Sequence, residues 1–274
     1  MIVLRERQLL FALMLPAAMV FAAFFLLPLA RLVVMGGSGP LGWAAYADIF
    51  TGTHYLKSFA QTIALSAAVT VFTLVVSGLA GVFLERNRFT GHALLTAMLT
   101  LPLAFPGVVI GFMVIMLAGR QGLVADISDA LVGERLVFAY SMAGLFMGYV
   151  YFSIPRTILT VMAAAEKLDP RLEEAARSLG AGPLRVVRDV VLPALKPALV
   201  AAGAICFATS MGAFGTAFTL ATRINVVPMV IYTEFTLQAN VAMAAALSFV
   251  LGAITWAALA FARTLTGSSV AAAG

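Results

Sequence analysis

The sequence predicts an all-α, polytopic membrane protein with six transmembrane helices and both termini in the cytoplasm. Of its 274 residues, 62% are hydrophobic and 11% are charged, and the mean hydropathy is +1.04. Since about a quarter of the residues of a soluble domain are charged, this composition is typical of a membrane protein. Six apolar stretches can span a ~30 Å hydrocarbon core, which takes about 20 helical residues. They cover residues 9–34, 59–84, 94–118, 138–155, 197–220 and 241–262.

Each stretch is expected to be a helix, because lipid leaves the backbone to satisfy its own hydrogen bonds. The first stretch follows Arg5 and Arg7 and is too long for a cleaved signal peptide, so we expect an uncleaved first span. The outer connections are short, and none is large enough for a separate domain. We therefore predict a single domain over residues 1–274, with a long inner loop at 166–196 between the fourth and fifth spans.

Lysine and arginine residues set the orientation, because they concentrate in the cytoplasmic loops of membrane proteins. With the N-terminus inside, most of them lie on the cytoplasmic side, including Arg86, Arg156 and the six basic residues of the 166–196 loop. This bias also explains the net charge of +5. We therefore expect the lipid bilayer, and no nucleic acid, as a partner of the chain.

The second and third spans have features that indicate either a translocation path for a solute or a packing seam between helices. Five small hydroxyl residues share one face of the second span: Thr62, Ser66, Thr70, Thr73 and Ser77. This stripe is either one wall of a translocation path or a seam between helices, and the seam is slightly favoured. In the third span, Pro102 and Pro106 free backbone groups, which suits a helix that bends or lines a cavity. The GxxxG spacings at 107–111 and 144–148 are best explained by static helix packing.

The fifth span contains a small, polar run that is interrupted by glycines. Gly212 and Gly215 weaken the helix there, and irregular backbone at membrane depth is tolerated mainly where it lines a cavity or is buried in protein. For this run the path interpretation is favoured. The residues predicted to line the path are Thr62, Ser66, Thr70, Pro102, Pro106, Thr209, Ser210, Gly212 and Gly215.

Several function classes are disfavoured by what the sequence lacks. No charged residue is expected deep in a span, which argues against a proton relay or a voltage sensor. His54 and His92 fall on opposite sides of the membrane, so we expect no metal site, and Cys206 is expected to be a small buried hydrophobe. A G-x-x-x-x-G-K-[ST] loop is absent from the sequence. We expect no cofactor and no catalytic residue.

The 166–196 loop holds six basic and five acidic side chains in an otherwise apolar chain. Asp169 followed by Pro170 predicts a helix start, and Gly180 predicts its end in a left-handed cap. A second short helix is expected to start at Gly182-Pro183. The residues predicted to form its apolar face are Leu184, Val187 and Val191, and those predicted to end it are Pro193 and Pro197.

This loop resembles a known motif. Glu174-Ala175-Ala176, then Gly180, then Val190-x-Leu192-Pro193 is similar to the E-A-A-x3-G-x9-I-x-L-P loop of binding-protein-dependent ABC importer permeases, with Val190 in place of the usual Ile. The stretch at 101–109, LPLAFPGVV, resembles the third-helix motif of the branch that handles polyamines, phosphonates, ferric iron and sulfate. The stretch at 119–123, GRQGL, resembles the external turn of the same branch.

The resemblance implies a transmembrane subunit that forms a solute path in the bacterial inner (plasma) membrane and breaks no bond of ATP itself. Its loop would dock as coupling helices on separate ATP-binding cassette ATPase subunits. The other implied partners are a second permease subunit, forming a heterodimer, and a soluble substrate-binding protein. The residues implied in coupling are Glu173, Glu174, Ala175, Ala176, Gly180, Ala181, Leu192 and Pro193, with Glu174 as the polar contact or brace.

The first expectation for the solute is a polyamine, and the alternative is a phosphonate, ferric iron or another oxyanion. Acidic side chains that would suit a polyamine are scarce, and only Glu234 near the outer surface is a candidate. Arg31, Lys57 and Arg223 would favour an anion, unless they are anchors at the membrane surface. A secondary transporter or channel is the alternative from another class, but it leaves the charged loop unexplained. A membrane-embedded enzyme is disfavoured because no nucleophile–base pair or metal set is found.

Overall fold

The computed structural model describes residues 13–220 and 224–266, and within these ranges the chain forms helices and turns without a β-strand. The all-α prediction is therefore confirmed. Within the same ranges, six helical stretches are long and apolar enough to cross a membrane. The number of predicted spans is confirmed too. Residues 9–12 of the first predicted span, as well as Arg5, Arg7 and Arg223, lie outside the described residues, and the cytoplasmic location of the termini stays a prediction.

We number the helices of the described residues in chain order. They are α1 (Leu13–Gly36), α2 (Ala44–Thr51), α3 (Thr53–Arg86), α4 (His92–Thr100), α5 (Gly107–Ala118), α6 (Leu123–Val132), α7 (Met142–Glu166), α8 (Pro170–Ser178), α9 (Pro183–Met211), α10 (Gly215–Leu220), α11 (Val227–Leu237) and α12 (Val241–Thr266).

The third predicted span, 94–118, is not one continuous helix. Helix α4 ends at Thr100, a 3₁₀ turn covers Leu101–Ala104, and α5 begins at Gly107. Pro102 and Pro106 cause this break, since proline has no N–H to donate and its ring clashes with the preceding turn. The prediction of a bend is confirmed, but the membrane-spanning length is found further along, at Gly107–Val132.

The fourth and fifth spans also have other bounds than predicted. Helix α7 continues through Pro155 to Glu166, so Arg156 lies inside a candidate span. The predicted end of the fourth span at Pro155 is therefore not a helix end, and the placement of Arg156 on the cytoplasmic side and the absence of a charge deep in a span stay predictions. Helix α9 runs through Pro193 and Pro197, which were expected to end the second loop helix. A π-helical turn at Val187–Val191 precedes these prolines, and such turns relieve the backbone crowding that proline causes.

The chain divides into two compact units. One consists of the described residues up to Leu56 together with Val230–Gly252, and the other of Lys57–Met229 with the segment from Ala253 onwards. The prediction of a single domain stays a prediction. In the first unit, the Tyr46 hydroxyl donates to the carbonyl of Val33 at 2.9 Å, and Ile49 is fully buried.

Five helices contribute to the core of the second unit, which lies around the glycine-containing break between α9 and α10. Its buried members include Val69 of α3, Val114 of α5, Tyr149 of α7, Cys206 of α9 and Leu220 of α10. The Tyr149 hydroxyl donates to the carbonyl of Ala213 at 2.6 Å, in the break between α9 and α10. Cys206 is a buried free thiol, as the sequence predicts.

Candidate functional site

The first loop helix has the predicted caps at both ends. The Asp169 carboxylate accepts a hydrogen bond from the Arg171 N–H at 3.0 Å, and Pro170 is the first helical residue. At the other end, Gly180 has φ +83°, a left-handed conformation that favours glycine. The Ala181 N–H donates to the carbonyl of Ala176 at 3.0 Å across this turn. These contacts fix the direction in which the chain leaves α8.

A small buried cluster anchors the loop to the long helices. Its members on α7 and α9 include Val161, Ala165, Val186 and Val191, and the partly buried Ala176 packs against them. Val191 therefore points inwards, whereas Leu184 is 83% exposed. The prediction that these two residues share an apolar face was wrong, because the π-helical turn adds a residue to the turn and rotates the face that follows it.

An ion pair joins α8 to the last residue of α3. The Arg86 guanidinium lies 2.6 Å from a carboxylate oxygen of Glu173, and these side chains are only 25% and 14% exposed. Glu173 also accepts from Arg177 at 3.2 Å, and Arg86 donates to the carbonyl of Leu168 at 3.5 Å. Sequence reasoning missed Arg86, since nothing local links it to a residue so far along the chain. The brace within the chain is therefore made by Glu173, and Glu174 is exposed beside it.

The solvent-exposed surface of the loop is unusually apolar for a charged segment. Four aliphatic side chains, which we call the loop apolar patch, are exposed by 49% to 88%: Leu172, Leu179, Leu184 and Val187. Leu192 is 51% exposed, and Pro193 and Ala175 are exposed as well. Exposed apolar side chains rimmed by charged ones mark surfaces that bind other proteins. The predicted coupling residues thus divide into an inward group, with Ala176 and Ala181, and an outward group.

A cavity of about 340 Å³ lies beside the break in the third span. The 3₁₀ turn and the start of α5 contribute Pro102 and Gly107, and α9 and α10 contribute Thr209 and Gly215. Three of the predicted path residues, Pro102, Thr209 and Gly215, therefore come together around one space. Of the others, Pro106 and Gly212 are exposed, whereas Ser210 is buried.

The hydroxyl stripe of α3 is mostly buried. Thr62, Ser66, Thr73 and Ser77 are at most 2% exposed, and Thr70 is half-buried. Thr62 donates to the carbonyl of Ser58 and accepts from the Val227 N–H at 2.9 Å, while Ser77 donates to the carbonyl of Ile154 at 3.3 Å. This arrangement favours the seam over the path. The path role of Thr62, Ser66 and Thr70 stays a prediction.

One glycine of each GxxxG spacing, Gly111 and Gly148, lies where another helix approaches closely. A Cβ atom at Gly111 would lie 2.6 Å from Cβ of Thr219, and one at Gly148 would lie 2.6 Å from Cγ2 of Thr216. The Thr216 hydroxyl donates to the carbonyl of Gly107 at 2.9 Å, so α5 and α10 are also hydrogen-bonded. These glycines let α5 and α7 pack closely against α10, which holds two walls of the cavity together.

Two charged residues have surroundings that bear on the solute. Glu234 is only 3% exposed and accepts from the Tyr55 hydroxyl at 2.9 Å and from the Asn240 amide at 3.1 Å. Its oxygens are thus occupied within the protein. Arg156, by contrast, is exposed and lines the cavity beside Phe152. The sequence gives little indication that Arg156 belongs to the helix, because the preceding Pro155 normally suggests a helix end.

Known proteins resemble this chain in both sequence and structure. The model of the family described as binding-protein-dependent transport system inner membrane component matches residues 77–267. The sulfate transport system permease protein CysT of Salmonella typhimurium is 34% identical over 215 residues, which cover 78% of this chain and 76% of that protein. The molybdenum transport system permease protein ModB of Escherichia coli is 34% identical over 187 residues, 63% of this chain and 78% of ModB.

Two further similarities cover more of the chain. A protein of Salmonella typhimurium described as a 2-aminoethylphosphonate transport system permease, PhnU, is 27% identical over 239 residues, 85% of this chain and 84% of PhnU. In the crystal structure of a bacterial alginate ABC transporter with its alginate-bound periplasmic protein, one chain superposes with a TM-score of 0.81 at 18% identity. The superposition covers 96% of each chain and establishes a shared fold.

Proposed function

Because this chain belongs to the family of binding-protein-dependent transport system inner membrane components, it is the transmembrane subunit of an ABC importer, and we propose how it couples and what it carries. It is an inner-membrane protein and not itself an enzyme. We propose that the loop apolar patch is the surface on which an ATPase subunit docks. We further propose that the solute is a small oxyanion.

The loop apolar patch is the observation that carries the coupling proposal. Leu179 and Leu184 are 88% and 83% exposed, although they flank a turn that is fixed by Gly180 and by an inward cluster. A fixed, exposed apolar surface suits a groove in a partner protein, which removes that surface from water. Because α9 is continuous from the loop to Met211, a displacement of the loop by the ATPase moves the wall of the cavity directly. ATP is hydrolysed on the partner, and this chain transmits the movement.

The coupling proposal is tested with Leu179→Asp and Leu184→Asp in the chain co-expressed with its ATPase. A buried carboxylate without a partner is strongly unfavourable, so we expect the affinity for the ATPase to fall by at least about tenfold, while membrane insertion is unchanged. Leu136→Asp is the matched control, since Leu136 is 57% exposed in the connection after α6, outside both the loop and the candidate spans. Wild-type recovery of the ATPase by both loop variants would show that the docking surface lies elsewhere.

The oxyanion proposal rests on the relatives and on the charges of this chain. The similar permeases are named for sulfate, molybdenum and 2-aminoethylphosphonate, and none of these names supports the polyamine prediction. Glu234, the acidic candidate for a polyamine, is buried and hydrogen-bonded to Tyr55 and Asn240. We expect the complete transporter to accumulate sulfate, molybdate or 2-aminoethylphosphonate in proteoliposomes and to leave spermidine outside. Uptake of spermidine alone would overturn the proposal.

The partners complete the proposal. A single chain offers a cavity with an open side, and we propose that a second permease subunit, as a heterodimer, closes the path around Pro102, Thr209 and Gly215. A soluble binding protein delivers the solute from outside. Purification of the assembled transporter followed by intact mass measurement gives the composition. Two copies of this chain per complex would replace the heterodimer with a homodimer and leave the coupling and solute proposals standing.

A further inference from the structure

Arg156 lines the cavity but takes no part in the loop contacts or the helix packing described above. It lies within α7, ten residues before Glu166 at the end of that helix, which at 1.5 Å per residue corresponds to about 15 Å along the axis. It lines the 340 Å³ cavity together with Thr209 and Thr216. It also lines a narrow groove between α7 and α9, where Thr157 and Thr160 lie on the same side of the helix.

Within the described residues, the Arg156 guanidinium has no carboxylate within the 4 Å that defines an ion pair. Arg86, Arg135 and Arg177 each have such a partner. An arginine inside a transmembrane segment is costly, and where it occurs it usually faces a cavity and serves a substrate or ion pathway. Arg156 therefore faces the cavity as a permanent positive charge whose counter-ion is not supplied by this part of the chain.

The surrounding hydroxyls show which hydrogen-bond donors remain available. Thr157, Thr160 and Thr209 donate their hydroxyl protons to carbonyls of their own helices, at 3.0, 2.9 and 2.9 Å. Ser153, one turn before Arg156, lines the groove and is only 4% exposed, and its hydroxyl has no hydrogen-bond partner within the described part of the chain. A buried hydroxyl without a partner is unfavourable. The groove holds only about 20 Å³, so the Ser153 hydroxyl is out of reach of an oxyanion, and the donor that remains available to the cavity is the Arg156 guanidinium.

We propose that Arg156 is the contact point for a tetrahedral oxyanion on its way through the cavity. A guanidinium donates two parallel hydrogen bonds to neighbouring oxygens of such an ion. A polyamine would be repelled by the same charge. A single arginine holds an anion weakly enough to release it, as conduction requires. This inference rests on the proposed oxyanion function, which it extends to named residues.

The test uses the complete transporter with its ATPase and binding protein in proteoliposomes, with labelled sulfate, molybdate and 2-aminoethylphosphonate as probes. Arg156→Gln removes the charge, Arg156→Lys keeps the charge but loses the paired donors, and Arg120→Gln removes an exposed charge from the turn after α5 as a matched control. Uptake and ATP hydrolysis are measured together. ATP hydrolysis that is stimulated by the loaded binding protein reports on folding and assembly without reporting on passage of the solute.

We expect Arg156→Gln to lower oxyanion uptake by about tenfold or more, the factor given by loss of a charged hydrogen bond, with ATP hydrolysis within twofold of wild type. Arg156→Lys should lie between wild type and Arg156→Gln, and Arg120→Gln should match wild type. Uptake by Arg156→Gln above half the wild-type rate would overturn the inference. Equal loss of uptake and ATP hydrolysis in both Arg156 variants would also overturn it, because the residue would then be structural. Failure of the wild type to take up any of the three anions would instead refute the oxyanion proposal itself.

Discussion

The 166–196 loop and the cavity beside Arg156 are built in opposite ways, although the same two helices, α7 and α9, run through both. In the loop, the charged Arg86, Glu173 and Arg177 are paired with one another, and the aliphatic side chains are exposed. In the cavity, the aliphatic residues form the frame, and the charged Arg156 has no ion-pair partner within the described chain. The loop thus combines paired charges with exposed aliphatic side chains, whereas the cavity places an arginine without an ion-pair partner in the described chain among largely apolar residues.

This difference is what the proposed functions of the two regions require. A protein partner that stays bound is held by apolar surface, and internal ion pairs keep that surface in one conformation. A solute that must pass through can only be held briefly, so a charge and a few donors suffice. The two regions also gain their shape differently. The cavity depends on close helix packing at Gly111 and Gly148, whereas the loop depends on the backbone conformation of Gly180.

The largest effect is expected from the packing of the cavity frame. Gly111→Ala would place a Cβ atom 2.6 Å from Cβ of Thr219, whose hydroxyl is held by the carbonyls of Gly215 and Val108. Overpacking of this kind costs about 1–3 kcal/mol, so α5 and α10 should separate and the midpoint of thermal unfolding in detergent should fall. The control is Gly78→Ala, where the nearest atom would be 3.9 Å away. An unchanged midpoint for Gly111→Ala would mean that close packing does not hold the cavity.

The sequence predicts the features that depend on local chemistry. The six spans follow from apolar length, and the N-cap of Asp169 and the left-handed Gly180 follow from the preferences of single residues. The breaks at Pro102 and at Gly212 follow from residues that disfavour a helix, proline strongly and glycine more weakly. The residues of the family motif also lie close together in the sequence, and for this reason the sequence alone is sufficient to recognise the loop as a family motif.

The helix ends and the ion pair that the sequence did not predict depend on tertiary packing, which outweighs the preferences of single residues. Pro155 and Pro193 are poor helix residues, but the helices that contain them continue because packing along their whole length outweighs one lost hydrogen bond. Arg156 was placed outside the span for this reason. The pairing of Arg86 with Glu173 joins residues 87 positions apart, and only the fold brings them together. Because the fourth span was predicted to end at Pro155 and not at Glu166, the sequence did not reveal Arg156 as a residue of α7 that lines the cavity.

The second effect, on the loop, is expected from the backbone of Gly180. An L-residue with φ +83° is strained by about 1–2 kcal/mol, so Gly180→Ala should loosen the turn and weaken ATPase binding by about five- to thirtyfold, since about 1.4 kcal/mol is a factor of ten. Gly182→Ala is a closely matched control. A Cβ atom added at either glycine would meet no other atom within 4 Å, but Gly182 has an ordinary φ of −70°. Equal ATPase affinity of the two variants, measured by titration in detergent, would show that the turn conformation does not matter for docking.

The smallest effect is expected from the ion pair that braces the loop, and a double-mutant cycle isolates it. Arg86→Ala, Glu173→Ala and the double variant should give a coupling free energy of about 1 kcal/mol in the thermal unfolding of the purified chain, because the pair is partly shielded from water. The exposed pair of Arg135 and Asp129, at 54% and 44% exposure, should give a value near zero in the same assay. Equal coupling energies for the two pairs would mean that Arg86 and Glu173 are only neighbours. The loop would then be held by its apolar cluster alone, and the contrast with the unpaired charge of the cavity would lose its energetic basis.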